Sequence, residues 1–196
     1  MKYIFSRDSW SMDGLTYGHS IRFAPMPEFN QQEDYIENIP APQSWDGYAC
    51  VSLVTEEKLT PNVKICTRCA FEGKAAPLLV LSKELTEKDG KHYYGDYLEV
   101  VLYKNGINVW NLWKEENGEV KIRNLLRLYL PVTTGEIHAF ALEIQKDRFV
   151  ITMDGQKADL YCGEIYDSFH LGITGCEGPC RFYDMEIEKC DKIQKR

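Results

Sequence analysis

Three Asn-Gly or Asp-Gly pairs, Asn105-Gly106, Asn117-Gly118 and Asp154-Gly155, each separate two runs in which apolar and polar residues alternate. A type I′ turn needs positive φ at both central residues, and these pairs tolerate it, so each predicts a two-residue β-hairpin. A hairpin with a fixed turn has a fixed register, and the register decides which side chains share a face. Antiparallel sheet is the expectation over residues 97–160.

The alternation continues beyond these hairpins. It predicts strands over residues 48–54, 63–71, 78–81, 97–104, 107–114, 120–130, 137–145, 148–153, 156–160, 169–174 and 181–188, with short extended pieces at 2–5 and 20–23 around an Asp13-Gly14 turn. In the 63–71 strand, Val63, Ile65, Thr67, Cys69 and Phe71 fall on one side. Residues 24–44, with Pro25, Pro27, Pro40 and Pro42, read as a long loop. Residues 82–96 read as a polar loop around Asp89-Gly90, with at most one helical turn over 82–88. The total is about ten to twelve strands with turn signals between them, the pattern of an all-β antiparallel sandwich. A length of 196 residues suits a single domain with a substantial core.

A two-residue turn at Asn105-Gly106 sets Leu102 against Val109 and Leu98 against Trp113, which makes that side the core face. The same rule at Asn117-Gly118 sets Val109 against Leu126 and Trp113 against Ile122, with Asn111 and Asn124 meeting as an amide pair on the core face. The opposite face then carries Tyr97, Glu99, Tyr103, Asn108 and Trp110. The third strand adds Arg123, Leu125, Arg127 and Tyr129 to it, and His92 in the 82–96 loop joins the candidates. Aromatic rings stack on the apolar side of a pyranose, and Asn, Glu and Arg bond its hydroxyls. The two arginines also suit a carboxylate or sulfate. The competing reading is a face covered by loops or a second subunit, its arginines lying along apolar surface. Glu99 is the candidate acid or base.

Other constellations point to structure rather than chemistry. His138 is in phase with Phe140, Leu142 and Ile144, which face Met153, Ile151 and Phe149 across a Lys146-Asp147 turn; a satisfied histidine is expected there. Asp184, Glu186 and Glu188 share a face with Phe182, opposite Tyr183, Met185 and Ile187, and read as a solvated outer face. Cys66-x-x-Cys69 and Cys176-x-x-x-Cys180 have zinc-like spacing, but positions i and i+3 of a strand point to opposite faces, so buried thiols are expected and no metal. The cysteine count is seven, an odd number that makes a poor disulfide framework and suits a reducing compartment. No phosphate-binding loop, nucleophile elbow or zinc-protease motif is present, and no cofactor is expected.

The net charge of −7 repels a phosphate backbone and argues against a nucleic-acid partner. Residues 1–12 hold no apolar signal core, and no long apolar run would span a membrane. A cytoplasmic protein without a membrane partner is the expectation.

Three segments resemble the concanavalin A-like lectin/glucanase superfamily: YLEVVLYKNGINVWNLW (97–113), HAFALEIQKDRFVITMDGQ (138–156) and FHLGITGCEGPCRFYDMEIE (169–188). The likeness to laminin-G-like and glycosidase-associated domains implies a jelly-roll sandwich, often with a glycan on its concave face and sometimes a calcium ion at the rim. Two motifs of that superfamily are missing, the glucanase E-x-D-x-x-E and the galectin W-G-x-E-x-R. Together, residues and resemblance suggest a lectin-like protein with an oligosaccharide ligand. The alternatives are a glycan hydrolase or lyase using Glu99 with Arg123 and Arg127, or an interaction domain forming a homodimer through this face.

Overall fold

The computed structural model describes residues 1–20, 25–41 and 50–190, none of them helical. In chain order the strands are β1 (Lys2–Ile4), β2 (Leu15–His19), β3 (Asn30–Gln31), β4 (Ile36–Glu37), β5 (Val51–Thr55), β6 (Val63–Phe71), β7 (Ala76–Ser82), β8 (Leu85–Lys88), β9 (Lys91–Tyr94), β10 (Tyr97–Tyr103), β11 (Gly106–Lys114), β12 (Val120–Tyr129), β13 (His138–Ile144), β14 (Arg148–Met153), β15 (Gln156–Tyr161), β16 (His170–Cys176), β17 (Cys180–Phe182) and β18 (Asp184–Lys189). They form two sheets of nine strands each. The first runs β15-β14-β13-β6-β17-β4-β3, with β18 also on β6 and β1 on β18. The second runs β12-β11-β10-β7-β16-β5-β2-β9-β8. All pairings are antiparallel except β2 with β9. The expected pieces at 20–23 and at the start of 48–54 lie largely outside the described residues.

The main core lies between the sheets. Leu98, Val100 and Leu102 of β10 and Leu171 and Ile173 of β16 meet Phe140, Leu142 and Ile144 of β13 in one apolar cluster. Each such side chain contributes about 1.5–3 kcal/mol by leaving water, which pins the alternation of every central strand. The expected buried side of β6 holds: Val63, Ile65, Thr67, Cys69 and Phe71 are all buried.

Of the three turn expectations, Asp154-Gly155 holds as read. Met153 pairs with Gln156, and both turn residues have positive φ, 46° and 82°. The Lys146-Asp147 hairpin also holds, with Phe140 opposite Met153 and Ile144 opposite Phe149. At Asn105-Gly106 the turn lies one residue earlier. Tyr103 pairs with Gly106, so Lys104 and Asn105 form the turn and Gly106 begins β11. The register shift is even, so the faces survive: Glu99 stands opposite Trp110 and Leu102 opposite Ile107. Gly106 is required by its third neighbour, because a Cβ there would lie 1.9 Å from the Leu128 carbonyl oxygen of β12.

At Asn117-Gly118 the expectation fails in part. The loop is longer than two residues, closed by Glu115 N–H to the Glu119 carbonyl and Gly118 N–H to the Glu115 carbonyl. Val109 pairs with Leu126 as expected, but Trp110 pairs with Asn124, which leaves Leu125 as a β-bulge. Leu125 itself packs toward the main core. Beyond the bulge every side chain changes face. Asn111 therefore meets Arg123 instead of Asn124, and Ile122 takes the outer face.

Residues 82–96 form a hairpin where a loop was expected. β8 and β9 pair around Asp89-Gly90, both at positive φ, and Lys83–Asp96 and Glu84–Gly95 bonds join them to the β7–β10 pair. One long hairpin thus leaves the middle of the second sheet, bends over its outer face and lands on the β2 edge. Beneath this strap Val54, Val80, Tyr94, Tyr97 and Leu112 form a second apolar cluster. The expected 24–44 loop contains the short β3 and β4 strands. A break at Tyr183 separates β17 from β18, so Phe182 is buried with Met185 and Ile187 rather than sharing a face with Asp184, Glu186 and Glu188. Those three acids pair with Arg68, Lys2 and Lys64 on the outside of the first sheet.

Candidate functional site

The strap covers only part of the outer face of the second sheet. Beside it, over β7, β10 and β11, lies an open cavity of about 480 Å³, within the range of about 300–1,000 Å³ usual for small-ligand sites. Its floor is apolar: Leu78, Val101 and Leu112, with Ile122 brought in by the bulge. Glu99, Trp110, Asn108 and Tyr103 line it. Cross-strand pairing sets Glu99 beside Trp110 and Val101 beside Asn108. The Asn108 Oδ1 is buried and meets no protein donor.

One end of the cavity is walled by loops. Lys74 comes from the β6–β7 connection, Lys104 from the β10–β11 turn and Glu177 from the β16–β17 connection. Glu177 has φ of 58°, a left-handed conformation that costs a non-glycine residue about 1 kcal/mol or more. Partial burial raises its pKa, and the Lys74 ammonium lowers it in part. Asn38 holds this connection. Its Nδ2 donates to the Gly175 carbonyl (3.2 Å) and the Gly178 carbonyl (3.1 Å), and its Oδ1 accepts from the Cys180 N–H (2.7 Å). A partner carboxylate for Glu99 was not evident from the sequence. Glu177 lines the same cavity, and its position depends on Asn38, more than a hundred residues away in sequence.

The expected ligand-binding residues divide as follows. Tyr103, Asn108 and Trp110, with Glu99, line the cavity. Tyr97 shares their face but is 1% exposed, sealed under the strap against Tyr94 with ring centroids 5.0 Å apart. Arg127 and Tyr129 are exposed at the margin, opposite Asn108 and Gly106. Arg123 is on the other side of the sheet, where its guanidinium lies 5.9 Å from the Trp113 ring and pairs with Glu164. The bulge at Leu125 is the cause. His92 is on β9, next to the far edge strand β8, its Nδ1 3.0 Å from the Thr16 hydroxyl, well away from the cavity.

His138 is satisfied at both nitrogens, by Asp154 Oδ2 and the Thr133 carbonyl, each at 2.7 Å. Cys69, Cys176 and Cys180 are buried, and burial raises their thiol pKa values. Among the described residues no group of three or more His, Cys, Asp or Glu side chains converges so as to hold a metal ion. No helix of the described residues is long and apolar enough to cross a membrane.

No protein-family model and no curated protein matches the sequence. Solved structures do. The carbohydrate-binding module CBM66 from Bacillus subtilis matches with a TM-score of 0.58 at 13% identity, over 90% of this chain and 96% of the module. The exoplasmic/lumenal domain of VIP36, in its Ca2+/Man3GlcNAc-bound form, matches at 0.60 and 9% identity, over 98% of this chain and 92% of that domain. The Crh5 transglycosylase in complex with NAG matches at 0.62 and 12% identity, over 98% of this chain and 84% of the enzyme. The chain has the concanavalin A-like jelly-roll fold, an all-β sandwich.

Proposed function

We propose that this is a lectin-like carbohydrate-binding protein that takes a sugar in the cavity over β10 and β11. The observation that carries this reading is the pairing of Trp110 with Glu99 across the two strands, beside Asn108, in an open cavity that the strap leaves uncovered. An indole offers a flat surface for the C–H face of a pyranose, while the carboxylate and amide next to it bond the ring hydroxyls. The apolar floor suits the same amphipathic ligand. Structural neighbours on this fold bind sugars, including the Man3GlcNAc of VIP36 and the NAG of Crh5, which supports a sugar here. Calorimetry against a broad oligosaccharide panel tests the proposal. A selective ligand whose affinity drops about tenfold or more in Trp110→Ala is expected; silence across the panel, or unchanged binding in that variant, removes the reading.

A second reading, a glycan-active hydrolase, is favoured by Glu177 entering the same cavity as Glu99. Glycoside hydrolysis uses two carboxyl groups about 5–9.5 Å apart, one as acid and one as base or nucleophile, so this reading requires Glu177 to reach toward Glu99 from the Lys104 end of the cavity. The raised pKa of Glu177 suits the acid. Product formation from a bound oligosaccharide, abolished in Glu99→Gln and Glu177→Gln, would establish it; bound sugar recovered intact by the wild-type protein would exclude it.

A further inference from the structure

We propose that the sugar taken in this cavity is acidic, its carboxylate or sulfate ester lying at the Lys104 end beside Arg127, its neutral hydroxyls toward Glu99 and Trp110. The inference rests on the carbohydrate-binding reading above.

The registers lay the outer face out in rows across the strands. Tyr103, Gly106 and Tyr129 form one row, Val101, Asn108 and Arg127 the next, and Glu99, Trp110 and Asn124 a third. Rows are two residues apart, about 6.5 Å, so Glu99 lies about 13 Å from the Tyr103 row. Lys104 follows Tyr103 immediately, at the opposite end of the cavity from Glu99. The cavity therefore differs along the strands, with Glu99 toward one end and Lys74, Lys104 and Glu177 toward the other.

Those cations are not consumed by the fold. Arg68, Arg123, Arg148 and Arg181 each hold a carboxylate. Among the described residues neither Lys104 nor Arg127 takes part in an ion pair, and both are exposed. Lys74, at the same end, stands near enough to Glu177 to offset in part the rise that burial gives its pKa. What remains is an ammonium in the β10–β11 turn and a guanidinium on β12, across β11 from it, on a chain of net charge −7. An anionic group on a sugar is the ligand chemistry that answers both. The guanidinium fork donates to two oxygens of a carboxylate or sulfate side by side, and the lysine adds a point charge. Their placement at the mouth also attracts an anion before contact. A cationic sugar would meet both groups as like charges.

The experiment uses acidic oligosaccharides in matched pairs, each measured by calorimetry beside its neutralised form: oligouronides against their methyl esters, sulfated galactans against desulfated ones. The expected result is binding to an acidic member that weakens about tenfold on neutralising the sugar, as expected for losing a charge-assisted contact. The same loss is expected in Lys104→Gln or Arg127→Gln, with Arg123→Gln as the unaffected control and unchanged melting temperature in all three. Which pair responds distinguishes carboxylate from sulfate. Equal affinity for charged and neutralised sugars, with the variants unaffected, overturns this inference and leaves the carbohydrate-binding reading standing. Silence across acidic and neutral members together overturns both.

Discussion

Glu99 and Trp110 are cross-strand partners on the outer face of the second sheet, one row from the point where the strap seals Tyr97. Trp110 serves two structures at once: its ring packs against the cluster under the strap and also lines the open cavity. Trp110→Ala should therefore cost stability as well as affinity, about 1–3 kcal/mol for a half-buried aromatic. Trp110→Phe keeps a stacking ring and should recover most of the affinity. Urea titration and calorimetry on the same samples separate the two losses. Full affinity in the alanine variant would show that the ligand does not use this ring.

Arg123 provides a test of the bulge. The simple register puts it on the face of Trp110; the actual register puts it against Trp113 and Glu164. Arg123→Ala should leave ligand affinity unchanged and cost no more than about 1 kcal/mol, since its ion pair is largely exposed. A large loss of affinity would mean that Val120–Asn124 faces the other way.

The contrast explains what the sequence could reveal. Asp154-Gly155 lies between strands with strong alternation and gave its turn and register directly. The faces of β10 and β11 were legible because a two-residue register error preserves the side on which each residue points. The bulge was not legible: Asn124-Leu125-Leu126 reads as uninterrupted strand, and an extra residue carries no mark of its own. The face of Tyr97 is legible but its burial is not, because that depends on a hairpin whose arms, Leu85–Lys88 and Lys91–Tyr94, look polar in sequence. Glu177 is not legible as a site residue because a loop residue gives no sign of the wall it faces until Asn38 fixes it there.

Asn38 should act as a positioning residue for that wall. It is 3% exposed and makes three hydrogen bonds to the segment carrying Glu177. Asn38→Leu leaves two carbonyls and one N–H without partners and should cost about 2–4 kcal/mol. Asn38→Asp retains an acceptor for the Cys180 N–H but faces both carbonyls with a charge, so it should fall at least as far. Denaturant midpoints give the stability loss. Amide exchange at residues 175–180 should accelerate selectively in both variants; uniform exchange across the fold would show that Asn38 does not anchor this segment.

His19 should make the fold sensitive to acid. It lies on β2, 4% exposed, with an Nδ1 that has no hydrogen-bond partner. Burial, reinforced by Lys91 and His92 on the neighbouring β9, holds its pKa down at about 4 against the usual 6.5. In the unfolded chain the imidazole takes a proton below pH 6.5, whereas in the folded chain it stays neutral until about pH 4. The unfolded state thus binds more protons across this window, and stability is present in full above pH 6.5 and lost as the pH falls toward 4. At 1.36 kcal/mol per pH unit the loss is on the order of 3 kcal/mol. His170 shifts in the same direction by burial and adds to it. Urea midpoints at pH 7.5 and pH 4.5 should differ markedly in the wild-type protein. His19→Gln should remove most of that difference, and an unchanged pH profile in this variant would place the acid sensitivity elsewhere.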